Sequence, residues 1–352
     1  MTTILCTLYN SLYLDKGLVL YDSLCECAKD FKLYVLCMDD KCYEVLTALK
    51  QEHHIPVRLS DFEKGDAALL EAKGNRPMGE YCWTCSSSFI RYVLNHYKEE
   101  SCTYIDADMY FYNDPKVLID EMLDAGKSVM VVPHRFPENK KKIAKWVGNF
   151  CVEFNTFLNI PESLEVLEYW RAKCLECCSR CKDGIHYGDQ KYLDQLVAMY
   201  DCVYPCAHPG AGLAPWNIVL YQGITGKGNT VFFRPRKQQE DIIFYHYQGV
   251  RYITKEIVST AVGAKVKNID YSLVDHLYCH YLHCIDEKKK WLNNVHGVNL
   301  LIKAHPVGMK FSGIKGLLRR TIAYKILNRL RALIRKRDPY FINLRESCSM
   351  EV

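Results

Sequence analysis

The chain has 352 residues, of which 49% are hydrophobic and 25% charged, and a formal net charge of +5. Such a composition predicts an ordinary folded core that needs no covalent staples, arranged as one large α/β domain with an extension or as two smaller domains. Nine Lys and Arg residues lie between Lys315 and Arg337 with no acid among them, and removing them from +5 leaves about −4 on the rest. A mildly acidic body with a basic tail excludes a uniformly basic nucleic-acid surface, so no nucleic-acid partner is expected.

The chain opens Met-Thr-Thr-Ile-Leu-Cys, without a basic start or a long apolar stretch, and carries 18 cysteines. This predicts a cytoplasmic protein with buried free thiols. Cys174, Cys177, Cys178 and Cys181 share one face if their segment is helical. Four thiolates on a straight helix cannot surround one zinc, so a buried stripe is the simpler reading. Cys82-Trp83-Thr84-Cys85 lacks a strand running into it, which is a poor redox context.

In chain order, Thr3 to Leu8 reads as a buried strand, Gly17 to Lys29 as a helix, Leu33 to Met38 as a strand, Cys42 to Leu49 as a helix and Ile55 to Leu59 as a strand. This β-α-β-α-β opening predicts a parallel sheet covered by helices. The polar stretch holding Gly65, Gly74, Pro77 and Gly79 reads as a loop. Ser86 to Tyr97 is a predicted helix with Ser86 or Thr84 as its cap. Strands follow at 102–105, 128–132 and 150–158, then helices at 163–181 and 188–200. Beyond about Phe244 the pattern is less regular, with helical stretches around 270–300 and a helix over 314–337.

Asp106-Ala107-Asp108 ends the apolar run Cys102 to Ile105. Two carboxylates on the same side of an extended backbone repel unless a cation sits between them. Their oxygens suit Mg²⁺ or Mn²⁺, which also bridge phosphates. Strand ends are where open α/β sheets bind ligands.

Tyr104-Ile105-Asp106-Ala107-Asp108 with Asp114-Pro115 resembles the aspartate motif of GT-A nucleotide-diphospho-sugar transferases. The likeness is to the family 8 type, which includes bacterial lipopolysaccharide galactosyltransferases and glycogenin. It covers roughly residues 1–255 and implies a GT-A catalytic domain, a Rossmann-like mixed α/β sheet flanked by helices. Residues 256–352 are then a helical C-terminal extension. The resemblance implies that Thr7 to Tyr13 grips the uridine, with Asn10 for the base and Tyr13 for ring stacking. It makes Arg91 the basic residue near the donor and Asn155 the contact to the donor sugar, although Phe157 replaces the family's glycine. Asp189, in Tyr187-Gly188-Asp189-Gln190, is placed near the anomeric carbon. His246, in His246-Tyr247-Gln248-Gly249, is the implied third metal ligand beside Asp106 and Asp108, with His208 as a rival. The family's following Lys-Pro-Trp is missing. Trp216 and Asn217 resemble a substrate loop, as sugar platform and polar contact. Neutral imidazole suits Mn²⁺ better than Mg²⁺.

The resemblance therefore implies a glycosyltransferase moving a hexose from a UDP-sugar to a glycan or lipid-linked acceptor. In the family reaction anomeric configuration is retained; an inverting enzyme would need a carboxylate base, for which Asp189 is the candidate. Three other readings stand beside it: a nucleotidyltransferase, a metal-dependent hydrolase and a non-catalytic scaffold on the same fold. The absence of glycine from Thr7 to Leu14 argues against the first. In the tail, Ile314, Leu318, Ile322, Ile326, Leu330 and Ile334 recur every fourth residue among basic ones. This is a basic amphipathic pattern that predicts peripheral contact with an anionic membrane face.

Overall fold

A computed structural model describes residues 2–179, 183–226, 228–252, 257–263, 268–298, 300 and 341–343. The opening elements are Thr3–Tyr9 (β1), Leu14–Cys27 (α1), Phe31–Cys37 (β2), Asp40–Leu49 (α2) and His54–Arg58 (β3). β1 pairs parallel with β2 from Thr3 opposite Phe31 to Tyr9 opposite Cys37, and β2 pairs parallel with β3. Parallel neighbours need a crossover, which α1 and α2 supply. Asp39 starts α2 by accepting the Cys42 amide at 2.8 Å, and it also accepts the Ser11 hydroxyl at 2.8 Å. The turn after β1 is thereby tied to the end of β2.

The polar stretch after β3 is helical, contrary to the loop expected there: Leu59–Glu63 (α3), Ala67–Asn75 (α4) and Met78–His96 (α5). Asp66 caps α4 by accepting the Leu69 amide at 3.1 Å, and Pro77, which has no amide to leave unpaired, sits at the start of α5. Gly74 and Gly79 lie inside helices rather than in turns. Because α5 begins at Met78, Thr84 and Ser86 are interior residues and not caps.

Ser101–Ile105 (β4), Met109–Phe111 (β5), Lys116–Asp124 (α6), Val129–Pro133 (β6), Ala144–Val147 (α7), Phe150–Leu158 (β7), Pro161–Glu176 (α8), Leu193–Met199 (α9) and Val203–Pro205 (β8) complete the main layer. The sheet runs β3-β2-β1-β4-β7-β6-β8, with β7 antiparallel to both neighbours and the other pairs parallel. It is the mixed sheet flanked by helices that the sequence predicts. The order turns back on itself between β1 and β4, and that switch point opens a crevice beyond the strand ends, where Asp106 follows β4 and Asn10 follows β1.

Two apolar layers cover the sheet. One includes Phe89, Ile90, Phe157 and Trp170 on the α5–α8 side, and the other Leu18, Leu24, Leu33 and Phe154 on the α1 side. Trp170 is fully buried and stacks on Phe157 at 5.9 Å, so its truncation would cost about 3–5 kcal/mol. The helix expected over 163–181 stops at Glu176, with Cys177 extended at φ −154°. Cys174 and Cys178 are buried thiols, but 177 and 178 do not continue a helical face, which removes the premise of a four-cysteine stripe.

Beyond the sheet, Tyr221–Thr225 (β9), Thr230–Phe233 (β10) and Gln238–Asp241 (β11) form an antiparallel meander that the sequence reading did not find. Phe244–His246 (β12) pairs antiparallel with β5, setting His246 opposite Met109. Tyr271–His296 (α10) is capped by Asp270 and packs on α1, burying Leu277, Tyr278, Tyr281 and Leu282. The predicted helix over 314–337 lies outside the described residues.

Candidate functional site

β4 is a fully buried strand, and the chain leaves it through a turn at Asp106-Ala107-Asp108 before re-entering β5. The two carboxylates thus converge through a turn, not along an extended strand as the motif alone suggested. The turn is fixed on both sides. The Asp106 amide donates to the Glu153 carbonyl of β7 at 3.4 Å, and the Asp108 carbonyl accepts the Tyr247 amide at 2.8 Å. The β5–β12 ladder and a His246 amide bond to the Leu213 carbonyl at 2.8 Å bring His246 to the same place.

There His246 Nε2 lies 3.1 Å from Asp108 Oδ1 and 3.5 Å from Asp106 Oδ2. Its Nδ1 lies 2.7 Å from Glu153 Oε2, and both of those side chains are buried. Glu153 accepts a hydrogen bond from Nδ1–H, so when the ring is neutral its Nε2 lone pair faces two carboxylates. Three acceptors pointed at one spot repel unless a proton or a cation occupies it. Burial opposes charge on His246, but the Asp108 carboxylate and hydrogen bonds to Asp108, Cys151 and Glu153 push its pKa well above the usual value. Burial also works against Asp108, yet the His246 charge, its hydrogen bond and Lys16 hold the carboxyl down at about 2. Asp106 is pushed well up by desolvation and by the charges of Asp108, Asp189 and Glu153, against the pull of His246. A group that is costly to ionise alone becomes cheap to ionise beside a divalent ion.

These donors fit a hard divalent cation. Asp106, Asp108 and His246 each offer one ligand atom, and the three atoms lie within 4.8 Å of one another. Cys151, Glu153 and His246 form a second such group, which shares His246 with the first and is entirely buried. His208 is turned to its own loop, where Nδ1 accepts the Gly210 amide at 3.0 Å.

Asp189 stands close enough to Asp106 to raise its pKa. Burial pushes Asp189 itself up to about 7, against a Ser86 hydroxyl that donates to it at 2.8 Å. Asn155 is buried on β7, opposite Tyr104 of β4, and neither end of its amide has a hydrogen-bond partner. Trp216 stands edge-on to His246 at 5.5 Å, and its indole donates to the His134 carbonyl at 2.8 Å. Tyr13 is 43% exposed beneath the Lys16 ammonium at 4.2 Å. Asn10 accepts the Leu12 amide at 3.1 Å, shaping the turn after β1, and the Thr7 hydroxyl is buried without a partner.

Two expected site residues face elsewhere. Arg91 pairs with Glu168 of α8. It lies five residues beyond Ser86, which turns it about 140° around α5 from the face that meets Asp189. Asn217 is fully buried and its amide is spent on backbone groups, donating to the His134 and Gly212 carbonyls while Oδ1 accepts the Ala214 amide. Glu153 and Lys16 were not singled out in the sequence, and Ser86 was read only as a helix cap. Alternation with Asn155 along β7 was the one signal that could have found Glu153.

No protein-family profile matches the chain. Two uncharacterised proteins of Bacillus subtilis are similar to it in sequence. YfnF is 30% identical over 261 residues, spanning 72% of this chain and 84% of its own length. YfnD is 30% identical over 292 residues, spanning 82% and 89%. Solved structures similar to the chain include mouse xyloside xylosyltransferase 1, with a TM-score of 0.46 and 12% identity across 71% of this chain and 98% of that one. The galactosyltransferase LgtC, in complex with donor and acceptor sugar analogs, has a TM-score of 0.43 and 14% identity across 70% and 87%.

Proposed function

This chain belongs to the family of YfnF and YfnD, and from that footing we propose that it is a metal-dependent glycosyltransferase. It moves a hexose from a UDP-sugar to a glycan or glycolipid acceptor with retention of anomeric configuration. The observation that carries this reading is the convergence of Asp106, Asp108 and His246 Nε2 at the switch point, with Glu153 fixing the far edge of the imidazole. Mn²⁺ suits that set of two carboxylates and an imidazole, and when bound it would neutralise the charge that develops on a departing diphosphate.

The chain's own residues supply the rest. Glu153 keeps the Nδ1 proton on His246 and so leaves Nε2 free to ligate. Asp189, beside Asp106, and the unpaired amide of Asn155 are assigned to the donor sugar, and Ser86 holds the Asp189 carboxylate in place. Tyr13 and Asn10 stand at the end of β1 for the uridine. Trp216 supplies an aromatic wall edge-on to His246. In a retaining transfer the leaving phosphate takes the acceptor's proton, so no separate base is required.

A scaffold role is disfavoured by the orphaned polar atoms. The Asn155 amide and Glu153 Oε1 are buried without partners. Left unmet, each costs about 1–3 kcal/mol, and both stand on β7, the strand whose Glu153 meets His246. We assign the basic segment 314–337 to peripheral membrane contact. Among the described residues no helix is long and apolar enough to cross a membrane. Deletion of 314–352 with membrane binding intact would count against that assignment.

The direct test is a thermal-shift series with nucleoside diphosphates, with and without Mn²⁺, on the wild type and Asp108→Ala. UDP should stabilise the wild type only with Mn²⁺, and the variant not at all. Absence of any nucleotide shift in the wild type removes the proposal.

A further inference from the structure

The connection between β6 and β7 forms one rim of the candidate site. A 3-10 turn, Glu138–Ile143, runs directly into α7. It is pinned to the site at both ends. Lys140 Nζ donates to the Trp216 carbonyl at 3.0 Å, and Gln190, next to Asp189, donates to the Val147 carbonyl at 2.6 Å. Asn149 is held in turn by Asp194 at 2.7 Å.

This rim carries Lys140, Lys141, Lys142 and Lys145 against a single acid, Glu138, on a body that is otherwise mildly acidic. Glu138 is taken up by Lys141. Lys140, Lys142 and Lys145 form no ion pair with a described residue, and Lys141, Lys142 and Lys145 are exposed. Between them stand two apolar side chains open to solvent, Ile143 at 41% and Trp146 at 39% exposure. Lys145 lies over the Trp146 ring at 5.3 Å. The rim thus alternates ammonium groups with an aromatic plate and leads to a second plate, Trp216, beside the metal cluster.

Aromatic plates suit sugar rings, and lysines bind tetrahedral phosphate as point charges. Turns of six and four residues, pinned at both ends, offer no continuous amphipathic helix to lay on a bilayer. We propose that this rim is the acceptor subsite and that the acceptor is a glycan bearing phosphate groups. The assignment of an acceptor role rests on the transferase reading above; the affinity for a phosphorylated glycan does not.

The test uses the full chain and compares phosphorylated maltohexaose with unmodified maltohexaose. Binding is followed by fluorescence anisotropy, and hydrogen exchange locates the contact. The phosphorylated sugar should bind at least tenfold more tightly, weaken as salt rises and protect residues 137–147. Lys142→Ala/Lys145→Ala should lose at least fivefold in affinity, whereas Asp108→Ala should keep it. Equal binding of the two sugars, or protection confined to 314–337, overturns the proposal. So does capture of the wild type by phosphatidylglycerol vesicles through 137–147 with no binding of the phosphorylated sugar. If the rim binds as expected while UDP and Mn²⁺ give no thermal shift, the surface stands and the transferase reading fails alone.

Discussion

Glu153 and His246 are 93 residues apart in sequence, yet the carboxylate of the first lies 2.7 Å from Nδ1 of the second, with both side chains buried. This contact fixes which nitrogen of the ring faces the two aspartates. Glu153→Gln keeps the shape and removes the charge. Mn²⁺ affinity should fall on the order of 10–100-fold while the melting temperature without metal changes little. Calorimetric titration with Mn²⁺ is the check, and an unchanged affinity would show that Glu153 does not orient the ligand.

Gly212 supports that glutamate from the other side. Its backbone has φ +76°, and a Cβ there would come within 2.8 Å of Glu153 Oε1 and of Val132 Cγ1. Gly212→Ala should destabilise the fold by roughly 1–3 kcal/mol through backbone strain and overpacking. It should also weaken Mn²⁺ binding without touching a ligand. Denaturant melts together with metal titration separate the two effects. Full metal affinity in a destabilised variant would refute the link to Glu153.

Asp189 ties stability to pH. Burial raises its carboxyl to about 7, against the Ser86 hydroxyl and the backbone amides of 189 and 190. The folded state therefore holds a proton between about pH 4 and 7 that the unfolded chain has released. Stability from this group is complete below the unfolded value and is lost as pH rises through about 7. Asp189→Asn should match the wild type near pH 4 and exceed it at pH 8 by on the order of 2 kcal/mol, with transfer activity greatly reduced. Parallel melts at the two pH values decide it, since an equal margin at both is incompatible with the account.

His54 acts in the opposite direction. Its ring stacks on Tyr21 at 4.7 Å, Nδ1 meets Gln51 at 2.8 Å, and burial lowers the pKa to about 4. The unfolded chain binds this proton near 6.5 and the folded one only near 4. The stabilisation is present above about 6.5 and drains away as pH falls to 4. Wild type should therefore lose more stability than His54→Asn between pH 7 and pH 4.5. Identical slopes in pH-dependent denaturant melts would falsify this.

Strong periodic signals carried the fold. The β-α-β-α-β opening, the strand before Asp106 and the strand over 150–158 are in place because each buries an apolar run with a single fitting period. The stretch at 65–79 misled because glycine was taken as a breaker, whereas Asp66 and Pro77 supply helix starts that tolerate it. In the candidate site, Asp106, Asp108, Asp189 and His246 were legible as motif residues. Glu153 and Ser86 were not, because each acts through a partner, His246 or Asp189, that only the folded sheet brings near. Arg91 stands apart for a rotational reason: five helical residues carry it off the face that Ser86 defines, to Glu168.

The ladder between β5 and β12 has a consequence for biogenesis. All seven strands of the main sheet lie before residue 206, whereas His246 arrives on a three-residue strand some forty positions later. A nascent chain can complete its sheet and display both aspartates while His246 is still inside the ribosome. The carboxylate–imidazole cluster is then assembled late, only after the meander of β9 to β11 has emerged and turned β12 back onto β5. A chain that ends before that point has the seven-stranded sheet but lacks His246, and it also lacks Ile243, Phe244 and Leu292, which close the apolar layer on the α1 side.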